Sequence, residues 1–236
     1  MFYGLFAGAN LLAGLYDGFY ESFIAQERYL LILNGLGNTL LLSLLAALFG
    51  ILIGVFMTYC RLSRFSVLRA VSGVYIDVIR GTPSFIQLLI IYFVVFGQLD
   101  VNKLLVAGLA FGINSGAYVS EIIRAGIQSI DFGQTEAGRS LGLTQKQTMQ
   151  YIIFPQAIKN ILPALANEFI VLIKETAVCG YIAVSDITNA ARMIYSSTYD
   201  ASWPLLGAAV IYYVIIKLLT MLFRKLEERL RRADAR

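Results

Sequence analysis

From Leu36 to Cys60 the chain carries no charged side chain, and within that stretch TLLLSLLAALFGILIGVF is apolar on every helical face. A helix needs roughly 20 mostly apolar residues to cross a bilayer. The pattern predicts a first membrane span here. A second is expected from about Thr82 to Gly97, extended N-terminally by VYIDVIRG, and a third from about Leu104 to Ile123. A fourth, from about Ile161 to Val184, is interrupted by Glu168, Lys174 and Glu175, and a fifth runs from about Leu205 to Phe223. The expected fold is all-α, a polytopic membrane protein with five transmembrane helices. Gly50 and Gly54, four apart in the first span, either let another helix approach closely or are simply tolerated by lipid.

Between and beyond the apolar runs the pattern changes. Residues 15 to 33 mix Asp17, Glu21, Glu27 and Arg28 with Tyr16, Phe19, Tyr20, Phe23 and Ile24, as an amphipathic helix lying in the outer interface would. The tail KLEERLRRADAR continues the fifth span as a solvated basic helix that anchors the topology. The organisation expected is therefore an extracytoplasmic amphipathic segment (1–34), a five-span domain (35–223) and a basic cytoplasmic tail (224–236).

Composition supports a lipid-facing surface. Of 236 residues, 58% are hydrophobic and only 14% charged, with mean hydropathy +0.71. A soluble domain carries about a quarter charged residues, so the deficit excludes an ordinary water-soluble core, and the same numbers exclude disorder. No basic stripe with interleaved aromatics lies outside the spans, which argues against nucleic acid binding. The chain has no histidine, and its two cysteines, Cys60 and Cys179, form no CxxC spacing. No metal site, cofactor or disulfide is expected, and both thiols read as packing residues. Met1 to Asn10 lacks a basic n-region, so the first span is expected to serve as its own uncleaved insertion signal.

Basic residues orient the spans. The stretches after spans one, three and five hold thirteen Lys and Arg residues, among them Arg61, Arg64, Arg139, Lys146 and Arg229. The opposite side holds only Arg28, Lys103 and Arg192. Positive charge favours the cytoplasmic face, so the N-terminus is expected outside and the C-terminus inside.

The longest inner connection, 125 to 160, is polar but patterned. Glu136 to Leu141 reads as a helical turn or more, stopped by Gly142. Thr144 is a fair N-cap for a second helix through Ile153, and Pro155 and Pro163 then punctuate the return to the membrane. A helix–glycine–helix on the inner face suits either partner docking or a plain surface hairpin.

At this loop the residues resemble a known family. GQTEAGRSLGLTQKQTMQYIIFPQAIKNILPAL is similar to the EAA loop of ABC-importer permeases, with Glu136, Ala137, Gly142, Pro155 and Pro163 at the family spacing. IRGTPSFIQLL (Ile79 to Leu89), SGAYVSEIIRAGIQSI (Ser115 to Ile130) and NEFIVLIKETAV (Asn167 to Val178) resemble the polar amino acid uptake branch. Gly138 stands where many members carry a second alanine.

The resemblance covers about residues 35 to 225 and implies a type I ABC importer architecture in a bacterial or archaeal inner membrane. It implies a second permease subunit, identical or paralogous, and two cytoplasmic ATPase subunits that use ATP and Mg and grip the loop through Glu136, Ala137, Gly138, Leu141, Gly142 and Pro155. It further implies an extracytoplasmic binding protein that delivers an amino acid. The chain itself has no GxxxxGK[ST] phosphate loop, so hydrolysis falls to another chain and no catalytic residue is expected here.

Ionisable residues inside a span are costly and mark either function or a paired cavity wall. Asn114, Tyr118 and Glu121 fall at i, i+4 and i+7 on the third span, with Ser115 beside them. One face is therefore polar. Glu121 either binds a cationic group or pairs with Arg80 or Arg124 to fix packing. In DVIRGTPSFIQ, Gly81 and Pro83 break the helix and free backbone groups near Thr82. Arg80 either meets a substrate carboxylate or pairs with Asp77 three residues earlier. On the fourth span Glu168 is read as a substrate contact, and Lys174 and Glu175 as gating or packing residues. The leading reading is an importer permease for polar, more particularly basic, amino acids. The alternative is an ion- or proton-coupled secondary transporter, which buried carboxylates would also suit.

Overall fold

The structure, a computed structural model, describes residues 14–234. Every regular element among them is helical. Residues 14–19 form α1, which continues as a π-helical turn, Tyr20–Ile24. Next come α2 (Tyr29–Arg61), α3 (Ser66–Arg80), and α4 (Ser84–Leu89) with its π-helical continuation Ile90–Val95. α5 (Lys103–Gln128) leads to α6 (Phe132–Ser140) and α7 (Gln145–Thr148), and a second π turn, Met149–Ile153, joins α7 to α8 (Phe154–Glu175). A 3-10 segment, Thr176–Ile182, precedes α9 (Ile187–Thr198) and α10 (Ser202–Asp234).

Three helices are long and apolar enough to cross a membrane: α2, α5 and residues Ser202–Arg229 of α10. A fourth span exists if α3 and the Ser84–Val95 segment, which meet at 107°, count as one broken crossing. The expectation of five spans is thus met only in part. α8 has the length, at 22 residues, but Lys159, Glu168, Lys174 and Glu175 keep it from the same apolarity.

The chain divides into two compact units. The first comprises the chain up to Leu41 together with Thr176–Ile215. Its core lies on α9, where Ile187, Ala190, Ala191 and Ile194 are fully buried and pack with Ile32, Ala208 and Phe23. That i, i+3, i+4, i+7 spacing is one helical face. Asp186 fixes where α9 starts: its carboxylate accepts the N–H groups of Thr188 and Asn189 at 3.1 and 3.0 Å. The amphipathic helix expected over 15–33 is shorter. It stops at Gln26 and Glu27, both at φ 55°, and from Tyr29 the chain belongs to α2. Arg28 holds this break, donating to Gln26 Oε1 at 3.1 Å and to the Glu21 carbonyl. The part of the N-terminal segment before residue 14 lies outside the described residues.

The second unit comprises Leu42–Glu175 and Ile216–Arg236. α5 is its axis: 67% of its apolar stretch is buried, against 28% for α2 and 6% for α10. Asn102 caps it, its Oδ1 accepting from Leu104 N at 2.9 Å. Gly50 and Gly54 let α2 close on α5, because a Cβ on Gly54 would stand 2.5 Å from Val119 Cγ1. Of the two readings of these glycines, close helix approach is the one realised.

Candidate functional site

The polar face of α5 carries the first set of candidate residues. α3 ends at Arg80, and the chain turns through Gly81, Thr82 and Pro83 before α4 begins. Pro83 pushes Thr82 out of the helical region and contributes no N–H, so carbonyls at the end of α3 lose their helical donors. Gln87 supplies the replacement. Its Nε2 lies 2.8 Å from Ile79 O, 3.1 Å from Thr82 O and 2.7 Å from Thr82 Oγ1, and Thr82 Oγ1 donates to Val78 O at 2.9 Å. Gln87 Oε1 in turn accepts from Asn114 Nδ2. Two candidates, Thr82 and Asn114, are thereby engaged in holding the helix break against α5. Tyr75 adds a third tie, donating to the Ile113 carbonyl at 2.6 Å.

Gln87 was not among the expected site residues. The signal was present as an amide four residues beyond a Gly-Thr-Pro break in an otherwise apolar run.

One turn further along α5, Tyr118 and Glu121 meet Arg80. The guanidinium lies 5.3 Å from the Tyr118 ring centroid and 3.9 Å from Glu121 Oε2. Glu121 is gripped more closely by Arg124, whose Nε and Nη2 reach its two oxygens at 3.0 and 2.6 Å. This is the bidentate geometry that makes an arginine–carboxylate pair specific. The Arg80–Asp77 pair weighed from sequence is not formed. Arg80 turns towards α5, where a carboxylate and an aromatic face await it, while Asp77 stays exposed.

The second set lies on α8. Glu168 and Asn167 line a cavity of about 570 Å³, walled by Ser115 and Val119 of α5, Ala47 and Ile51 of α2, and Phe223 of α10. Ser115 Oγ donates to Glu168 Oε1 at 2.7 Å. Among the described residues Glu168 forms no ion pair, although Lys159 and Arg224 line the same cavity. Lys174 is exposed and Glu175 partly buried at the end of α8, and they form no ion pair with each other.

The loop between α5 and α8 is built by strong local signals. Asp131 caps α6 through Gly133 N at 2.6 Å. α6 closes with Leu143 N bonding Gly138 O and Gly142 N bonding Arg139 O, and Gly142 takes φ +84°. This is the Schellman ending, where only glycine avoids a Cβ penalty. Thr144 then forms a full capping box with Gln147. Gly138 is buried against the second helix, and a Cβ there would lie 2.7 Å from Thr148 Cγ2. Glu136, Ala137 and Leu141 face outward, and Phe132 and Leu141 are 72% and 81% exposed.

One expectation about this loop is corrected. The second helix does not end at Ile153. The chain stays helical from residue 145 to 175, with Pro155 just after the π turn and Pro163 inside α8. The wider π turn leaves a gap in the hydrogen-bond ladder where Pro155 has no N–H to give.

A bent helix pair pinned to a buried central helix, a carboxylate-bearing cavity and a capped polar loop fit a transport permease. The chain belongs to the family of binding-protein-dependent transport system inner membrane components, which it matches over residues 50–232. It is 40% identical over 207 residues to a putative glutamine transport system permease of Rickettsia bellii, covering 87% of this chain and 95% of that one. The arginine transport system permease of Bacillus subtilis is 39% identical, with coverage of 86% and 94%. Among solved structures, an amino acid ABC transporter described as crystallised with histidines matches with TM-score 0.82 and 44% identity, covering 88% of this chain and 98% of that one. A methionine ABC transporter in an inward-facing conformation shares the fold, with TM-score 0.69 at 18% identity.

Proposed function

We propose that this chain is the membrane-spanning subunit of an ATP-driven importer of polar amino acids, with basic amino acids as its substrates. The observation that carries the substrate class is Glu168: a carboxylate in a mostly apolar cavity, held by one hydroxyl and in no ion pair among the described residues. An isolated charge in such a place is expensive unless a ligand completes it, and an ammonium or guanidinium group would do so. The relatives named for arginine and glutamine transport are consistent with a polar amino acid cargo.

In this reading the α6 face bearing Phe132, Glu136, Ala137 and Leu141 docks on a cytoplasmic ATPase that binds ATP and Mg. A second permease subunit completes the pathway, and an extracytoplasmic binding protein delivers the substrate. The thirteen-to-three distribution of basic residues supports an N-terminus outside and a C-terminus inside. Five crossings follow if the α3–α4 pair and α8 each span the bilayer. An ion-coupled carrier fits less well, because the family is binding-protein-dependent.

Reconstitution with the ATPase and binding protein tests the reading. Glu168→Gln should lower arginine and lysine uptake tenfold or more while basal ATP hydrolysis stays within twofold. Equal loss of both would make Glu168 structural, and uptake driven by an ion gradient without ATP would overturn the importer assignment.

A further inference from the structure

A second cavity, about 770 Å³, adjoins the first in the same unit, sharing Ile51, Val119, Leu162 and Leu165 with it, and holds none of the candidate substrate residues. It is a groove along α2 from Ile51 to Leu62, floored by Ile123 and Ile127 of α5 and by Ile158 and Leu162 of α8. Its rim residues Tyr59, Phe65 and Phe154 are exposed. No carboxylate lines it, and its single charged group is Arg64, at the end where α2 gives way to the turn before α3. Arg64 lies 5.9 Å from the centroid of the neighbouring Phe65 ring and pairs with no acid among the described residues. Beside it, Ser63 Oγ accepts from Phe65 N at 3.2 Å, which leaves its own O–H free to donate. Arg69 Nη1 donates to Ser63 O at 2.9 Å and holds the turn in place.

The dimensions match a lipid. Ile51 to Leu62 spans about 16 Å at the helical rise of ~1.5 Å per residue, and one leaflet of a ~30 Å hydrocarbon core is about 15 Å deep. An apolar wall of one leaflet's depth therefore ends at an unpaired guanidinium, at the level where a phosphate lies. Guanidinium groups recognise phosphate with paired, charge-assisted hydrogen bonds. We propose that this groove holds one anionic phospholipid, its acyl chain along α2 and its headgroup phosphate on Arg64. The inference rests on α2 spanning the bilayer and not on the substrate, so it stands or falls separately from the role of Glu168.

Native mass spectrometry of the purified transporter in detergent tests it, with phosphatidylglycerol, phosphatidylcholine and glycerol 1-phosphate as probes. Phosphatidylglycerol should bind at least tenfold tighter than phosphatidylcholine. Arg64→Gln should reduce that preference to within twofold, and Arg64→Lys should retain most of it. Ile158→Trp, which fills the groove and leaves the charge, should weaken phosphatidylglycerol at least tenfold. Equal affinity for the two lipids, an unchanged preference in Arg64→Gln, or its loss in Arg64→Lys would overturn the proposal. So would glycerol 1-phosphate competing at the same concentration as the lipid, which would mark a free phosphate site. A disulfide between Tyr59→Cys and Phe154→Cys of two different copies in native membranes would assign the groove to a second subunit and overturn it equally.

Discussion

Asn114 Nδ2 donates to Gln87 Oε1 at 2.9 Å, and through that bond α5 holds the amide that repairs the broken helix before it. Asn114 and Gln87 are both buried. Losing one partner leaves the other's polar atoms buried without a donor or acceptor, at a cost of about 1–3 kcal/mol. Gln87→Leu strips donors from the Ile79 and Thr82 carbonyls as well, so it should destabilise more than Asn114→Leu. Cys60 and Cys179 are both buried, which makes a thiol-reactive dye a built-in reporter of unfolding. The melting midpoint should fall in the order wild type, Asn114→Leu, Gln87→Leu, and the double variant should fall short of the sum.

Glu121 is expected to behave as a structural group. Its two oxygens are taken by Arg124, with Arg80 standing at 3.9 Å. Glu121→Gln removes the charge that two guanidinium groups share and keeps the shape. It should lower thermal stability and depress uptake and ATP hydrolysis together. A selective loss of lysine and arginine uptake, with hydrolysis and stability intact, would instead return Glu121 to the substrate path.

These two sites show how far the sequence could be read. The apolar runs gave α2, α5 and α10, because lipid-facing helices carry their signal in composition alone. Thr144 and Gly142 were legible too, since caps and Schellman glycines act within five residues of chain. Partnerships across helices were legible only as alternatives: the pairing of Glu121 with Arg80 or Arg124 was one of two readings, and both contacts form. The i–3 neighbour Asp77 was the obvious mate for Arg80, yet the turn at Gly81–Pro83 aims Arg80 at Glu121, forty-one positions away. Gln87 was missed for the same reason: its role depends on a 107° bend that composition does not encode. Pro155 misled in the other direction, because a π turn absorbs what would otherwise end a helix.

Gly138 offers a prediction against the usual preference for alanine in helices. Alanine at an interior helical position is favoured over glycine by about 1 kcal/mol. Here the added methyl would meet Thr148 Cγ2 at 2.7 Å and Ile152 Cδ1 at 2.9 Å. Overpacking of that kind costs about 1–3 kcal/mol. Gly138→Ala should therefore lower stability or tilt α6 enough to reduce ATPase stimulation by the substrate-loaded binding protein. Thr148→Ser removes the obstructing methyl and should restore part of the loss. Rescue failing in the double variant would show that the contact is not the cause.

Ala183 should gain from the opposite change. It sits at φ 57° just past the 3-10 segment, where Val184 N bonds Cys179 O and Ala183 N bonds Gly180 O. An L-residue pays roughly 1–2 kcal/mol to occupy the left-handed region, and glycine does not. Part of that gain is returned through the greater freedom of glycine in the unfolded chain. Ala183→Gly should raise the melting midpoint by a few degrees, read by the same thiol-dye assay, without altering uptake.

Phe132 and Leu141 separate docking from folding. Both are largely exposed, Phe132 at the start of α6 and Leu141 at its end, so neither supports the core of this chain. Apolar residues held out on a rigid, capped loop are costly in water and useful in a partner's cleft. Leu141→Asp and Phe132→Asp should leave the melting midpoint of the isolated permease within about a degree, as surface changes away from packed features do. The same variants should lose co-purification of the ATPase subunit, or weaken it tenfold or more. Because the two residues flank one short helix, the double variant should abolish ATP-driven uptake while the folded permease still inserts. Retained ATPase binding in that double variant would mean that the engine grips another surface.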